Sequence, residues 1–252
     1  MTSFSWGAAE AARLDAIRES LAQVSTASAF QLLNDLGWRN THMQGLRPIE
    51  PLGLGRRLVG RARTCRYLMR REPQQPAAPG GSRRAPSPVI ALIESIEPGD
   101  VFCVDALGVP TAGIIGDILA ARLKARGAVA ALVDGAVRDT PYIKQVGLPV
   151  FTAAIHPAAS MRDVVPIDYD RPVNLGGAQV IPGDVILADD EGALAMPLEL
   201  AEYVAEQGRA KELLEEWIRG KIEAGGAVPD YYPPSPEKAR EYERETGRSA
   251  QH

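Results

Sequence analysis

The sequence predicts a mixed α/β layered fold in a single domain, and two observations support this prediction. Helix-like and strand-like segments alternate along the chain: in residues 113–151 a helical segment precedes a continuously apolar strand and a second short helix. In addition, a Pro-Gly turn, an aspartate, an apolar strand and an acidic end occur together twice, as EPGDVFCVDALG at 97–108 and IPGDVILADDEG at 181–192. Two occurrences indicate two equivalent strands in one β layer rather than a solenoid.

The amino-terminal third predicts two helices, a strand and a third helix. Residues 8–37 have helical periodicity, with a helix restart near Ser25 and a stop at Gly37. Residues 58–67 alternate as in a strand whose outward residues are arginines, which predicts a basic face, and residues 89–97 return to a helical pattern. The apolar face of the first helical segment consists of Leu14, Ile17, Leu21 and Val24.

Segments of distinct composition interrupt and follow the predicted domain. Residues 70–88 are rich in proline, glycine and arginine, which predicts a mobile insertion. Residues 198–223 predict a long amphipathic helix or helix pair with an acidic outer face. We therefore expect a catalytic domain at 1–225 and a carboxyl-terminal extension, rich in tyrosine and proline, at 226–252. The acidic residues of that outer face are Glu206, Glu212, Glu215 and Glu216.

Composition excludes several classes of protein. The 252 residues carry a formal net charge of −4, which argues against nucleic acid as the main partner. No apolar run is long enough to span a bilayer, and the charged amino terminus lacks the apolar core of a signal peptide. Cys65 and Cys103 form neither a metal motif nor a disulfide framework. We expect a cytoplasmic protein without a membrane partner.

One stretch carries groups suited to binding an anion. A helix is predicted to start near Asp117, and the free amides at a helix start, with the positive end of the helix dipole, favour a carboxylate or phosphate. Arg138 follows the strand at 129–133 and offers a forked, permanently charged donor. In an α/β sheet, loops of this kind meet at one edge. The amides concerned are those of Ile118, Leu119 and Ala120.

The adjacent aspartates are open to two interpretations. Asp139 offers a hard oxygen ligand for Mg²⁺, and Asp117 can hold a water of the metal's coordination shell. Both also stand where the N-cap of a helix belongs, and aspartate is a preferred N-cap residue. Arg138 can equally pair with Asp134 or Asp139 on the surface. The spacing alone leaves these alternatives open.

The acidic residues and histidines outside this stretch have simpler explanations. Asp105 ends one of the two similar strands, and Asp189, Asp190 and Glu191 end the other. These groups could crowd the same edge as the site, but a turn role is expected for each. His156 follows a strand at 149–154 and can approach the site. Neither a GxGxxG motif after a strand nor a GxxxxGK[ST] motif is present, so a nucleotide-binding fold has no motif support.

The sequence resembles the RraA-like family. The resemblance is carried by Gly116-Asp117, then Arg138-Asp139 within DGAVRD, and then GLPVF. It extends to STASAFQLLNDLG, GLRPIEP and LVGRARTC on one side and to NLGGAQVIPGDVILADDEGALAMP on the other, covering most of residues 20–225. The family includes class II pyruvate aldolases that act on 4-hydroxy-4-methyl-2-oxoglutarate and 4-carboxy-4-hydroxy-2-oxoadipate. The resemblance implies a swivelling β/α core and a homotrimer or homohexamer.

The resemblance also implies an activity with residues in defined roles. A 4-hydroxy-2-oxo acid would be cleaved to pyruvate and a second oxo acid, and oxaloacetate would be decarboxylated, both through pyruvate enolate. Asp139 would hold the metal, Mg²⁺ or Mn²⁺, and Arg138 and Asp117 would be catalytic. Arg138 would also bind the substrate. The other substrate-binding residues would be Gly116, Ile118 and Leu119.

Two alternatives remain at this stage. Some members of the family regulate a ribonuclease by binding it, which requires a docking surface and no metal carboxylate. The presence of both Arg138 and Asp139 favours the enzyme. A lyase that acts on a different hydroxy acid through the same enolate is the other alternative, and the absence of a lysine from the constellation disfavours a Schiff-base route.

Overall fold

The computed structural model describes residues 6–71 and 87–250, so most of the expected insertion at 70–88 lies outside the described residues. The helices are α1 (Ala8–Leu21), α2 (Thr26–Asp35), α3 (Pro88–Ser95), α4 (Asp117–Ala125), α5 (Thr140–Val146), α6 (Leu198–Glu223), α7 (Val228–Tyr231) and α8 (Pro236–Thr246). The strands are β1 (Arg47–Pro48), β2 (Leu58–Met69), β3 (Asp100–Gly113), β4 (Ala130–Val137), β5 (Val150–Ile155), β6 (Val164–Tyr169), β7 (Val173–Leu175), β8 (Ala178–Val180), β9 (Val185–Asp189) and β10 (Gly192–Met196).

An eight-stranded sheet forms the centre of the molecule. Its order is β1-β5-β4-β3-β2-β9-β10, with β6 paired to the second half of β2. Strands β2 to β5 run parallel, whereas β9 and β10 are antiparallel to their neighbours. The segment before β1 pairs with β10, where the Met43 amide donates to the Ala193 carbonyl at 2.9 Å, while β1 itself pairs with β5. The sheet is therefore nearly closed into a barrel.

Helices cover the outside of this barrel and small apolar residues fill its inside. Helices α3, α4 and α5 bury Leu92, Leu123 and Ile143 against β2, β3 and β4. The inner faces of β3, β4 and β5 bury residues such as Leu132 and Phe151 against the hairpin β7–β8. Helices α1, α2 and α6 cover β9 and β10. The predicted mixed α/β single domain is confirmed, because the hydrophobic patterns of strands and helices are satisfied by one another.

The two similar Pro-Gly segments form the same turn at two entries into this one sheet, on either side of β2. The Asp100 carboxylate accepts the Glu97 amide at 2.9 Å, and the Asp184 carboxylate accepts the Ile181 amide at 2.7 Å. The intervening glycine has a positive φ in both turns, 92° and 96°, which is the conformation that requires glycine there. The prediction of two equivalent strands in one β layer is confirmed.

The predicted basic outer face of β2 is wrong. Arg63 is only 9% exposed, and its guanidinium donates to Asp170 at 2.9 Å and to Asp100 at 3.3 Å. Arg61 donates to Asp100 at 2.7 Å. Burial raises the pKa of Asp100, although the Glu97 amide and the two arginines oppose this rise. The arginines are thus partners of buried carboxylates on other elements and not a solvated face.

The acidic face predicted for α6 is also only partly exposed. Residues 198–223 form one continuous helix. Glu212 reaches the start of α2, where it accepts the Ser25 amide at 2.9 Å and the Ser25 hydroxyl. Although burial raises the pKa of Glu212, these hydrogen bonds hold it below its ordinary value. Glu212 therefore joins two helices rather than facing solvent.

The residues after α6 fold back on its carboxyl-terminal half. Tyr231 and Tyr242 lie against Trp217, with ring centroids 5.7 and 5.4 Å from the indole. Leu214 and Ile218 complete this small apolar cluster. None of the helices in the described part of the chain has the length and apolar character needed to cross a bilayer.

Replacing the aspartate by asparagine is expected to change the free energy of unfolding in opposite directions in the two Pro-Gly turns. Burial raises the pKa of Asp184 to about 6, so its favourable contribution is present at low pH and is lost as the pH rises through 6. Asp184→Asn should therefore increase the free energy of unfolding by about 1–3 kcal/mol at pH 7.5, and less at pH 5. Burial raises the pKa of Asp100 as well, but Asp100→Asn should decrease the free energy of unfolding by about 3 kcal/mol, because the largely buried guanidiniums of Arg61 and Arg63 lose their charged partner and this loss outweighs the relief of burial. Urea unfolding at both pH values measures these changes, and a destabilised Asp184→Asn would contradict the assignment.

Candidate functional site

The loops that follow β3 and β4 are tied together by main-chain hydrogen bonds. The Ile114 amide donates to the Ala136 carbonyl at 2.8 Å, and the Arg138 amide donates to the Ile115 carbonyl at 3.0 Å. Because β3 and β4 are parallel neighbours, their carboxyl ends lie at the same edge of the sheet. The start of α4 and the Arg138-Asp139 pair are therefore adjacent.

A cavity of about 130 Å³ lies where these loops meet. Most of the residues predicted for the site line it, and Asp139 lies immediately beside it, in contact with Gly116. The lining residues are Gly113, Ile114, Gly116, Asp117, Ile118, Leu119, Arg138, Ala159 and Ser160. The structure thus collects the predicted residues around one small space, while their roles stay predictions.

Asp139 does not act as a helix cap. It precedes α5 at the N-cap position, but its backbone is left-handed (φ 55°, ψ 32°) and its side chain makes no capping hydrogen bond. The carboxylate instead lies over Gly116, where an added Cβ would be 2.6 Å from Oδ2. The side chain is 39% exposed, so an oxygen ligand is open to solvent beside the cavity. A left-handed non-glycine residue stores strain, and such residues cluster at functional sites.

Asp117 is likewise not the N-cap of its helix. Gly116 occupies the cap position, and Asp117 is the first helical residue, whose Oδ1 accepts the Ile118 amide at 2.9 Å. The expectation of three free amides is wrong for Ala120, because its amide donates to the Gly116 carbonyl at 3.0 Å. Within the described part of the chain the Leu119 amide has no acceptor. Leu119 therefore supplies one free donor, and Ile118 supplies a second if the Asp117 carboxylate turns away.

Arg138 pairs with its neighbour and not with Asp134. Its Nε lies 3.4 Å from Asp139 Oδ2, and the two side chains are 42% and 39% exposed. An exposed ion pair of this kind contributes about 0–1 kcal/mol to stability. Arg138 can therefore exchange this partner for an anion, and Asp139 for a cation, at little cost. Asp134 instead accepts the Gly176 amide at 3.0 Å. Burial raises the pKa of Asp134, and the nearby Asp105 adds to that rise.

The other acidic strand ends do not reach this cavity. Asp105 accepts the Leu107 amide, and Asp189 accepts the Thr26 amide and hydroxyl. Asp190 accepts the amides of Leu52 and Gly53. The expected turn role is seen for Asp105, and for Asp189 through the Glu191 amide at 2.9 Å. It is wrong for Asp190, because this carboxylate binds a segment far away in the sequence. Asp190 and Glu191 line a separate cavity of about 580 Å³ beside α2.

Four lining residues were not predicted as site residues: Gly113 and Ile114 where β3 ends, and two that lie outside the stretch 113–151. Ala159 and Ser160 belong to the turn between β5 and β6, and the chain there pairs with Gly113. Their sequence, HPAASMRD, contains no motif that indicates such a position. His156 lies in the same turn, but its Nδ1 accepts the Ala158 amide at 3.1 Å and it does not line the cavity.

The donor set suits a hard, loosely held cation. Among the described residues no three histidine, cysteine or acidic side chains gather as a metal cage. The site offers Asp139, free of capping bonds, and Asp117 on the facing loop. Mg²⁺ is typically bound by one or two carboxylates together with water and substrate, so these residues fit Mg²⁺ or Mn²⁺ better than a zinc site.

Known proteins resemble this chain over most of its length, in sequence and in fold. The chain is 30% identical over 168 residues to a putative 4-hydroxy-4-methyl-2-oxoglutarate aldolase of Halalkalibacterium halodurans, covering 67% of this chain and 73% of that protein. It is 29% identical over 184 residues to the protein DlpA of Legionella pneumophila, covering 73% of this chain but only 28% of DlpA. The crystal structure of Streptomyces coelicolor RraAS2, an unusual member of the RNase ES inhibitor RraA protein family, matches with 31% identity and a TM-score of 0.71. That match covers 81% of this chain and 95% of RraAS2.

The sequence profile of the RraA-like family, described as Aldolase/RraA, matches residues 15–195. The matched region contains all of the barrel except the last residue of β10, and it contains both loops of the cavity. Because the match covers more than half of the chain and the fold agrees, the protein belongs to the RraA-like family.

Proposed function

We propose that the protein is a divalent-metal-dependent lyase that cleaves a 4-hydroxy-2-oxo acid to pyruvate and a second oxo acid. The observation that carries the proposal is the uncapped Asp139 carboxylate, which lies with Arg138 against the start of α4 across Gly116. Relatives named 4-hydroxy-4-methyl-2-oxoglutarate aldolase support the same reaction class. Oxaloacetate decarboxylation follows as a second activity, because it passes through the same enolate.

The start of α4 binds the carboxylate and the 2-oxo group of the substrate. The Leu119 amide is free to donate, and the Ile118 amide becomes available when Asp117 engages another partner. Arg138 lines the same cavity and provides a charged fork for the anion. Donors aimed at the position where negative charge develops stabilise the transition state by about 3 kcal/mol each.

Asp139 is the residue that would hold the metal, with Asp117 acting through water. When bound, Mg²⁺ or Mn²⁺ supplies Lewis-acid stabilisation of the enolate charge. The Asp117 carboxylate would accept the proton of the 4-hydroxyl through a bridging water as the C3–C4 bond breaks, and would return it to C3 of the enolate to give pyruvate. No lysine lines the cavity among the described residues, which agrees with an enolate route and not a Schiff base.

Assembly into a homotrimer or homohexamer is part of this proposal. Around the cavity several large apolar side chains are exposed, among them Ile118 at 77%, Tyr142 at 59% and Ile155 at 63%. Exposed apolar surface next to a site is typical of a protein contact. The oxo-acid substrate and a cytoplasmic location remain expectations.

Asp139→Asn tests the metal-binding role. We expect purified protein with Mg²⁺ or Mn²⁺ to release pyruvate from 4-hydroxy-4-methyl-2-oxoglutarate, measured by coupling to lactate dehydrogenase. Asp139→Asn should lower kcat/KM by roughly 100-fold or more, because the substituted amide is a poor ligand for a hard cation. Asp168→Asn, at a partly exposed aspartate on β6, is the matched control. Equal activity of the Asp139 variant and the control would refute the proposal.

Gly116→Ala tests the close approach of Asp139 to the α4 start. The added methyl would be 2.6 Å from Asp139 Oδ2, so the carboxylate must shift from its place over Gly116. We expect a loss of at least about 10-fold in kcat/KM with little change in the melting temperature, since the carboxylate is half-exposed and can move. Gly220→Ala, where the new methyl meets open space within α6, should leave kcat/KM unchanged and should raise the melting temperature slightly, because alanine favours the helix over glycine. A fully active Gly116→Ala would show that this contact does not matter.

The second candidate function is inhibition of a ribonuclease by protein binding. It is favoured by the 31% identity to RraAS2, a member of the RNase ES inhibitor RraA protein family. Pull-down with a purified ribonuclease of the RNase E type, followed by an RNA cleavage assay, separates the two functions. Under the lyase proposal we expect no stoichiometric binding. Binding and inhibition that persist in Asp139→Asn, with no pyruvate release by the wild-type protein, would establish the regulator instead.

A further inference from the structure

The cavity has a third wall that belongs to neither predicted loop. This wall is the turn between β5 and β6, which contributes Ala159 and Ser160. We propose that Ser160 is a specificity-determining residue, whose hydroxyl binds a carboxylate carried on C4 of the substrate. The inference rests on the proposed lyase function and assigns the residue that recognises the released half of the substrate.

The turn is fixed in place by hydrogen bonds at both of its ends. The Gly113 amide donates to the Ala158 carbonyl at 2.8 Å, and the Arg70 amide donates to the Asp163 carbonyl at 2.8 Å. The Thr111 hydroxyl donates to the Asp163 carboxylate. Gly113 permits this approach, because an added Cβ there would be 2.9 Å from the His156 carbonyl oxygen. Ser160 is therefore presented on a braced segment, which a specificity contact requires.

Ser160 is the lining residue whose side chain carries a neutral hydroxyl. The other lining side chains are either apolar or charged, with Asp117 and Arg138 as the charged ones. No partner of the Ser160 hydroxyl is found among the described residues, and the side chain is half-buried. A hydroxyl with a free proton is a suitable donor to a carboxylate oxygen.

The size of the cavity separates the two halves of the substrate. At about 130 Å³ it is well below the roughly 300 Å³ at which pockets for drug-sized ligands begin, so a three-carbon acid occupies most of it. The α4 start, Arg138 and Asp139 are already assigned to the carboxylate and oxo group of that acid. The substituents on C4 are then expected beside the turn that carries Ser160, which forms the remaining wall.

The effect of this contact is expected to be modest because the turn is partly open to solvent. A neutral donor to a charged acceptor at a half-exposed position corresponds to roughly a 3- to 10-fold preference. The preference should apply to substrates with a carboxylate on C4 and not to analogues in which that group is a methyl.

The test compares two substrates that differ only in this group, 4-hydroxy-4-methyl-2-oxoglutarate and 4-hydroxy-4-methyl-2-oxopentanoate. The ratio of their kcat/KM values is measured with Mg²⁺ for the wild-type protein and for Ser160→Ala. We expect the ratio to fall 3- to 10-fold in Ser160→Ala. Met161→Ala is the matched control, since Met161 lies on the same turn, is 52% exposed and does not line the cavity. Its ratio should equal that of the wild type.

The possible results distinguish the inference from the proposed function. A Ser160→Ala ratio equal to that of the wild type, or an equal fall in Met161→Ala, overturns the role of Ser160 and leaves the lyase proposal intact. Exchange of the pyruvate methyl protons in D₂O, followed by NMR with the wild-type protein and Mg²⁺, reports enolate formation alone. Absence of both exchange and cleavage in the folded wild type overturns the lyase function and this inference with it.

Discussion

The contact between the Asp139 carboxylate and the α-carbon of Gly116 is the constraint on which the candidate site depends. It requires a left-handed backbone at Asp139 and the absence of a side chain at Gly116. The hydrogen bond from the Arg138 amide to the Ile115 carbonyl keeps the two loops at this separation. Without this approach, a carboxylate, a guanidinium and a helix start would be three unrelated surface features. With it, they face one small cavity and can act on one ligand.

The strain of this arrangement is offset by the rigid sheet beneath it. Strands β3 and β4 are parallel, and residues 100–106 of β3 and 130–133 of β4 are buried between the two core clusters, which fixes the strands that carry the site loops. The Pro-Gly turns add to this rigidity, because each begins its strand with an aspartate that is bonded to its own turn. A strained residue such as Asp139 persists only where the surroundings determine its conformation in this way.

Aspartates in this chain differ in role because their partners differ. Asp100 is held between two arginines, Asp134 and Asp190 accept main-chain amides, and Asp139 has neither kind of partner beyond an exposed arginine. A carboxylate with satisfied acceptors stabilises a turn or a core, whereas one left with free acceptors at a cavity can take a ligand. The arginines of β2 and those of the loops differ in the same manner: Arg63 is enclosed by carboxylates, and Arg138 remains open to solvent.

The sequence by itself determined the alternation of helices and strands, the two equivalent Pro-Gly entries, and the loops that carry Asp117 and Arg138-Asp139. These depend on periodicity and turn chemistry within a few residues, which a single chain displays directly. Only the tertiary structure decided that Arg63 is buried against Asp170, that Asp139 does not cap its helix, and that Ser160 faces the same cavity as Arg138. Each of these depends on groups far apart in the sequence or on a left-handed backbone, and no local pattern encodes which distant partner a polar side chain will meet.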